Sequence, residues 1–349
     1  MTVPRPAEET PASPAPGGGN PTMRDVAQHA GVSPMTVSRA LRDDPRVSPD
    51  KKARIWTAVN ALGYTRNEAA RNLRLGRSGG LVGLVVTNLA NPFYSQLALG
   101  VEAMASEHGM RVILGNSGED LASERQLVDD FVSRRLDGII VVPVGSNHRH
   151  LNAAQQAGIP VVLAASPPVK LIADAVMLDD FGGSLEATHH LIGAGHRKIA
   201  FLGLQPSTWT GSERFRGYCA ALEEAGIPLD ERIVSRQYRD VAAAERATLA
   251  MLAQEDPPTA VFTANNRNTI GAYRAIRGRR SNIALAGFDD FELADMLALP
   301  LTVVKYDPAE LGRRAAELLC DRINEPQPQA EPVPRRIVIP TKLVEYGPQ

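Results

Sequence analysis

From residue 81 onward, short apolar runs alternate with segments of helical periodicity, and this alternation constrains the fold more than any other feature of the chain. The apolar runs lie at 81–87, 111–114, 138–144, 160–164, 175–178, 198–204, 260–263 and 283–288. Helical segments at 93–108, 121–135, 183–194, 212–225, 242–254 and 266–277 fall between them. Strand–helix alternation implies parallel sheets built from right-handed crossovers. Roughly 270 residues of it imply two lobes, one of about 81–177 and 305–330, the other of about 178–301 and 335–346. Segments 302–304, 308–323 and 336–339 follow the point at which a second lobe would be complete, so they are expected to return toward the first and cross back. Open parallel sheets bind ligands at the carboxyl ends of their strands, and two facing lobes turn that location into a cleft.

Residues 22–64 have a different pattern. Thr22 can cap a first helix, with Asp25 three residues on, and Gly31 breaks it. Ser33 can cap a second, with Pro34 in its first turn. Val26, Ala27, Val32, Val37, Ala40 and Leu41 put one apolar face inward. Ser48-Pro49-Asp50 opens a third helix with Ile55, Val59 and Leu62 on its inner stripe, ended by Gly63. This is a helix–turn–helix head, whose second helix is about as wide as a DNA major groove. Residues 65–80 read as a linker. Asn67 to Leu75 is one short helix, too short to be stable alone. Residues 1–21, rich in Pro, Ala, Gly and Glu, read as a disordered tail.

Charge divides the same way. Residues 22–78 hold eleven Lys/Arg against five Asp/Glu, although the whole chain carries a net charge of −1. A basic module on an acidic body suits a head that binds a polyanion. Cys219 and Cys320 lie far apart with no metal-type spacing, which favours free thiols in a reducing compartment over a disulfide. No apolar run reaches the length of a membrane span, and the N-terminus has no hydrophobic signal core, so a cytoplasmic location is expected.

Together these residues resemble the lac-repressor (LacI/GalR) family of bacterial transcription regulators. The head carries Asp25-Val26-Ala27, Ala30-Gly31-Val32-Ser33 and Thr36-Val37-Ser38-Arg39-Ala40-Leu41; the linker carries Gly63-Tyr64, Asn67 and Ala70-Arg71-Asn72-Leu73. The body carries Asn91-Pro92-Phe93-Tyr94, Asp137-Gly138-Ile139-Ile140, Gly195-His196-Arg197-Lys198, Arg214-Phe215-Arg216-Gly217, Gly287-Phe288-Asp289-Asp290 and Leu301-Thr302-Val303-Val304. The resemblance runs from about Thr22 to Tyr346. It implies an all-α helix–turn–helix head on an α/β body, a two-lobed periplasmic-binding-protein-like fold with parallel sheets. It also implies a homodimer that binds double-stranded DNA at a near-palindromic operator, and a small effector in the cleft, a sugar or nucleoside-like metabolite. No resident cofactor or metal is expected. The chain stops soon after Tyr346 with no leucine heptads following, so a dimer is expected, not a tetramer.

By the same resemblance Pro34, Met35 and Arg39 occupy base-reading positions. Arg39 can donate two hydrogen bonds to guanine, whereas Pro34 and Met35 read by shape and thymine-methyl contact. Thr22, Ser33, Thr36, Ser38, Arg42 and Arg46 are candidates for the DNA backbone, with Thr22 and Ser33 primarily caps. In the hinge, Leu73 is placed to wedge between base pairs in the minor groove, with Asn67, Ala70, Arg71 and Arg74 around it; the bland reading of Leu73 is a buried linker leucine. Arg66 stands where the family usually has Pro.

Effector candidates are Phe93, Tyr94, Trp209, Thr210, Arg214, Tyr238, Asn265 and Asp289, with Thr87 and Asn91 weaker. They supply aromatic faces and charged forks suited to a polyhydroxylated ligand. Arg214 and Asp289 are the strongest of these, with a structural ion pair as the alternative reading, and the alternative for Trp209 is a partly buried loop residue. Asn265-Asn266-Arg267-Asn268 departs from the family's Asn-Asp, which removes a carboxylate near the cleft. His148-Arg149-His150 reads as a solvated loop, not a metal site. No acid, base or nucleophile set converges, so an enzyme is disfavoured. A sugar-binding transport protein, the alternative, would share the body but have no use for residues 22–75 and would need an export signal.

Overall fold

The computed structural model describes residues 21–64, 79–237, 240–279, 283–325 and 333–347. The hinge positions Asn67, Ala70, Arg71, Leu73 and Arg74, and Tyr238 in the body, lie outside the described residues. The chain divides into two compact units, residues 1–77 and 78–349.

The first unit holds α1 (Met23–Ala30), α2 (Pro34–Ala40) and α3 (Pro49–Leu62). Thr22 and Asp25 form a reciprocal capping box at the start of α1. Gly31 ends α1 at φ 63°, a left-handed conformation open to glycine without steric cost. Ser33 then caps α2 through the Thr36 amide, with Pro34 at the first turn. Val26, Ala27, Val37, Ala40, Ile55 and Val59 are buried together, and Val32, Leu41 and Leu62 close the edge of that core.

The second unit follows the alternation. In chain order it contains β1 (Leu81–Val86), α4 (Pro92–Glu107), β2 (Arg111–Asn116), α5 (Leu121–Ser133), β3 (Gly138–Val141), α6 (Asn152–Gln156), β4 (Val161–Ala164) and β5 (Asp174–Leu178). Then come α7 (Asp180–Gly193), β6 (Ile199–Leu202), α8 (Trp209–Glu224), β7 (Val234–Ser235), α9 (Val241–Leu252), β8 (Ala260–Thr263), α10 (Asn266–Arg279) and β9 (Ala284–Phe288). The last elements are β10 (Leu301–Lys305), α11 (Pro308–Asn324), β11 (Arg336–Ile339) and β12 (Lys342–Tyr346).

Two six-stranded sheets result. The first has the order β11-β5-β4-β3-β1-β2 and is parallel throughout. The second has the order β12-β10-β9-β8-β6-β7, parallel except for β12 at its edge. The chain passes between sheets after β5, after β10 and between β11 and β12. Two expectations need correction. Residues 302–304 stay in the second lobe, because Leu301 to Val304 are all buried between β9 and β12. Residues 336–339 belong to the first lobe, not the second: β11 pairs with β5 in the register Arg336 to Ala175 and turns Ile339 into the first lobe's core. Among the described residues no helix is long and apolar enough to cross a membrane. Cys219 and Cys320 are both free thiols.

Close packing of α4 against α11 completes the first lobe. A Cβ on Gly100 would collide with the Ala309 carbonyl, and one on Gly312 with the Leu97 carbonyl. Both neighbours are backbone of a packed helix and have nowhere to go. Gly278, on the exposed end of α10, has nothing near its missing Cβ. Gly312→Ala is therefore expected to destabilise the protein by about 1–3 kcal/mol through overpacking. Gly278→Ala should be neutral or stabilising by at most about 1 kcal/mol. Urea unfolding of the two variants beside the wild type checks both signs.

Candidate functional site

The carboxyl ends of the strands of both sheets converge on one cavity of about 230 Å³. Thr87 follows β1, Val142 to Gly145 follow β3, Ala165 and Ser166 follow β4, and Leu178 ends β5. From the second lobe come Leu204 and Gln205 after β6, Asn265 after β8, Asp289 after β9 and Tyr306 after β10. The start of α8 adds Trp209, Thr210 and Arg214. Three non-glycine residues of the lining have left-handed backbones: Glu119 at φ 63°, Ala165 at φ 59° and Asp289 at φ 69°. Such conformations are uncommon outside glycine and gather where a site fixes its geometry.

Arg214 organises the second-lobe wall. Its Nε donates to Asp180 Oδ1 at 2.8 Å, and its Nη1 donates to Asp289 Oδ1 at 3.0 Å and to the Ala264 carbonyl at 2.6 Å. The guanidinium lies 3.6 Å from the Phe288 ring centroid. Tyr306 donates its hydroxyl to the same Asp289 Oδ1 at 2.7 Å. Asp289 Oδ2 accepts no hydrogen bond among the described residues, which leaves one acceptor for a ligand. The two readings of Arg214 and Asp289 thus coexist: they form an ion pair and both line the cavity.

Burial pushes the Asp180 carboxyl up to about 6, against the pull of Arg214. Burial alone would lower the Arg214 guanidinium, but Asp289 and Asp180 outweigh it and hold it above its usual range. Burial also raises the Tyr94 hydroxyl to about 12, with Thr87 hydrogen-bonded to it at 2.5 Å. Phe93 meets Tyr94 of its own helix and Tyr306 of the second crossover edge to face, with centroids 4.9 Å and 6.1 Å apart.

Phe93, Tyr94, Trp209, Thr210, Arg214, Asn265 and Asp289 all line this one cavity. Trp209 is 36% exposed, which leaves its ring face available. Asn265 has a second task, since its Oδ1 accepts the Asn268 amide at the start of α10. Thr87 and Asn91 line the cavity as well. Asn91 caps α4 and also accepts from Asn266 Nδ2 at 3.0 Å, a direct bond between lobes. Sequence reasoning missed Asp180, which holds Arg214, and Tyr306, Glu119 and Arg267 in the cavity lining. For Asp180 a signal existed: Asp179 already caps α7 through the Gly182 amide, so a second acid beside it needs another partner. The expectation of a solvated loop at His148-Arg149-His150 is wrong. His148 is fully buried and accepts the Val169 amide, while His150 sits 2.7 Å from buried Glu124. Glu124 holds the Val144 amide at 2.6 Å, so this network supports the cavity wall. Among the described residues no group of three or more His, Cys, Asp or Glu is arranged to hold a metal ion.

On the head, α2 exposes Pro34 and Met35, the latter 64% exposed, and half-buries Arg39, Thr36 and Ser38. The Arg39 side chain makes no hydrogen bond and no ion pair within 4 Å among the described residues. Arg46 differs: it grips Asp44 with two hydrogen bonds of 3.0 and 2.7 Å. Arg42 donates to the Ser38 carbonyl. Thr22 and Ser33 are engaged locally, Thr22 with Asp25 and Ser33 with Thr36.

Residues 80–346 match the family described as periplasmic binding proteins and sugar binding domain of LacI family, and residues 22–67 match bacterial regulatory proteins, lacI family. The transcriptional regulator DegA of Bacillus subtilis is 31% identical over 330 residues, 93% of this chain and 96% of that one. The transcriptional regulator CelR of Thermobifida fusca is 34% identical over 339 residues, 93% of this chain and 97% of that one. Among solved structures, a CelR–cellobiose complex superposes with a TM-score of 0.69 at 30% identity, covering 93% of this chain and 98% of that one. The lac repressor dimer bound to operator and the anti-inducer ONPF gives 0.77 at 25% identity with the same coverages.

The raised Asp180 carboxyl has a consequence for stability. Its protonated form is favoured in the folded protein, so its stabilising contribution is complete below about pH 4 and is lost as pH rises through 6. The stability difference between wild type and Asp180→Asn is expected to shift against the wild type from pH 4.5 to 7 and then level off. Urea midpoints across that range test this; a difference that does not vary with pH refutes it.

Proposed function

Because the chain belongs to the LacI family of bacterial regulatory proteins, we propose that it is a transcriptional repressor whose operator affinity is set by a small effector in the interlobe cavity. The observation that carries this reading is the pairing, in one chain, of a capped helix–turn–helix with an unpaired Arg39 and a cavity walled by both lobes. In this reading Arg39 reads guanine, Pro34 and Met35 select by shape, and Ser33, Thr36, Ser38, Arg42, Arg46 and Thr22 meet phosphates. Asn67, Ala70, Arg71, Leu73 and Arg74 form the hinge that enters the minor groove, with Leu73 as the wedge. The working unit is a cytoplasmic, nucleoid-associated homodimer on a near-palindromic operator. The effector is a sugar or related metabolite, in keeping with the cellobiose held by the CelR complex.

The coupling has a physical route. Asp180 directly follows the first interlobe crossover, and Tyr306 lies within the second. Both are bonded to the Arg214–Asp289 pair. A ligand that binds Asp289 therefore acts on groups fixed to two crossovers, and one that moves Asn266 breaks the bond to Asn91. The coupling to DNA can be no larger than the difference in ligand affinity between lobe arrangements, and it is reciprocal.

Gel shifts of the purified protein on its own upstream DNA test the reading. Binding should be selective for one site and fall steeply with salt. Arg39→Ala should lose about 1–3 kcal/mol of discrimination between operator and random DNA while keeping its thermal stability. Unselective binding by the wild type, or unchanged discrimination in the variant, contradicts it.

A further inference from the structure

We propose that the effector carries an anionic group, a carboxylate or phosphate on a polyhydroxylated ring, and that Arg267 is the residue that selects it. This rests on the reading of the cavity as an effector site. Among the described residues four charged side chains line the cavity: Glu119, Arg214, Arg267 and Asp289. Arg214 and Asp289 are paired with each other, and Asp180 takes a second face of the guanidinium. Arg267 has no carboxylate within 4 Å among the described residues, and its Nε is buried with no hydrogen-bond partner. Arg267 lines the cavity as a cation with no counter-ion among the described residues, and an anion there would supply one through charge-assisted hydrogen bonds.

The surroundings favour the same sign of charge. Arg267 is the second residue of α10, and the positive end of that helix dipole lies beside the cavity. Asn265 satisfies the Asn268 amide there, but the amides of Asn266 and Arg267 find no acceptor among the described residues. Arg267 lies on the second-lobe wall, so the anionic group belongs on that side. Asp289 Oδ2 and the Trp209 face remain for the hydroxyls and ring of the same molecule. A cavity of about 230 Å³ suits a ligand of one ring, below the roughly 300–1,000 Å³ of drug-sized sites.

The test uses the full chain and matched probes: glucose, galactose and ribose, each with its sugar acid and its terminal phosphate ester, by thermal shift and calorimetry. The expected result is that an anionic member raises the melting temperature and its neutral parent does not. Arg267→Gln should weaken that binding roughly tenfold or more, and Arg267→Lys should restore part of it. The sugar-acid and phosphate arms identify which anion the site takes. A neutral sugar that binds wild type and Arg267→Gln equally, and shifts operator binding, overturns the anionic proposal while leaving the effector reading intact. If no probe of either class binds, both readings fall.

Discussion

One buried guanidinium holds the ligand-facing half of this molecule together. Arg214 leaves α8 and reaches the first residue of α7, the carbonyl at the end of β8 and the carboxylate at the end of β9. Without it two carboxylates and a backbone oxygen would converge with nothing between them. Such a cluster is poor value as pure stability, because desolvating three ions offsets much of their attraction. What it provides is position. Asp289 is held by Arg214 and Tyr306 on one oxygen and presents the other, in a backbone conformation that few non-glycine residues adopt.

Desolvation and pairing compete openly here. At Asp180 burial prevails and the carboxyl titrates near 6, while at Arg214 the two carboxylates prevail and the charge is locked in. The difference follows from their neighbours. Arg214 has a carboxylate on each side and an aromatic face behind it, whereas Asp180 has one cation and an oxygen, Oδ2, buried without a partner. The same logic explains why His148 stays uncharged by preference: burial lowers its basicity, and its Nδ1 is needed as an acceptor for the Val169 amide.

Much of the architecture is legible in the residues because each signal is local. Alternation marks the strands, and Thr22, Ser33 and Gly31 mark where helices of the head begin and end, through hydrogen bonds spanning only a few residues. Sheet membership is not local. Residues 336–339 are a short apolar run whose partner, β5, lies about 160 residues earlier, and nothing within the run says which sheet edge is vacant. His148-Arg149-His150 misleads for a related reason, since its polarity suggests solvent until Glu124 and Val169 are brought over it. The cavity residues taken from the resemblance converge where the described chain contains them, but Asp180 and Tyr306 sit at crossovers, whose geometry depends on both sheets at once.

Pairing state, more than residue type, separates the arginines that build this protein from those free to meet something else. Arg214 is closed on Asp180 and Asp289, so it already has the carboxylates a partner would otherwise supply. Arg39 on α2 and Arg267 on α10 have none among the described residues. An arginine without a counterion keeps its charge for an acceptor that arrives from outside. The head and the body thus use one device at different scales. On α2 it faces outward beside two side chains that cannot donate, Pro34 and Met35. On α10 it faces a cavity whose other cation is already neutralised.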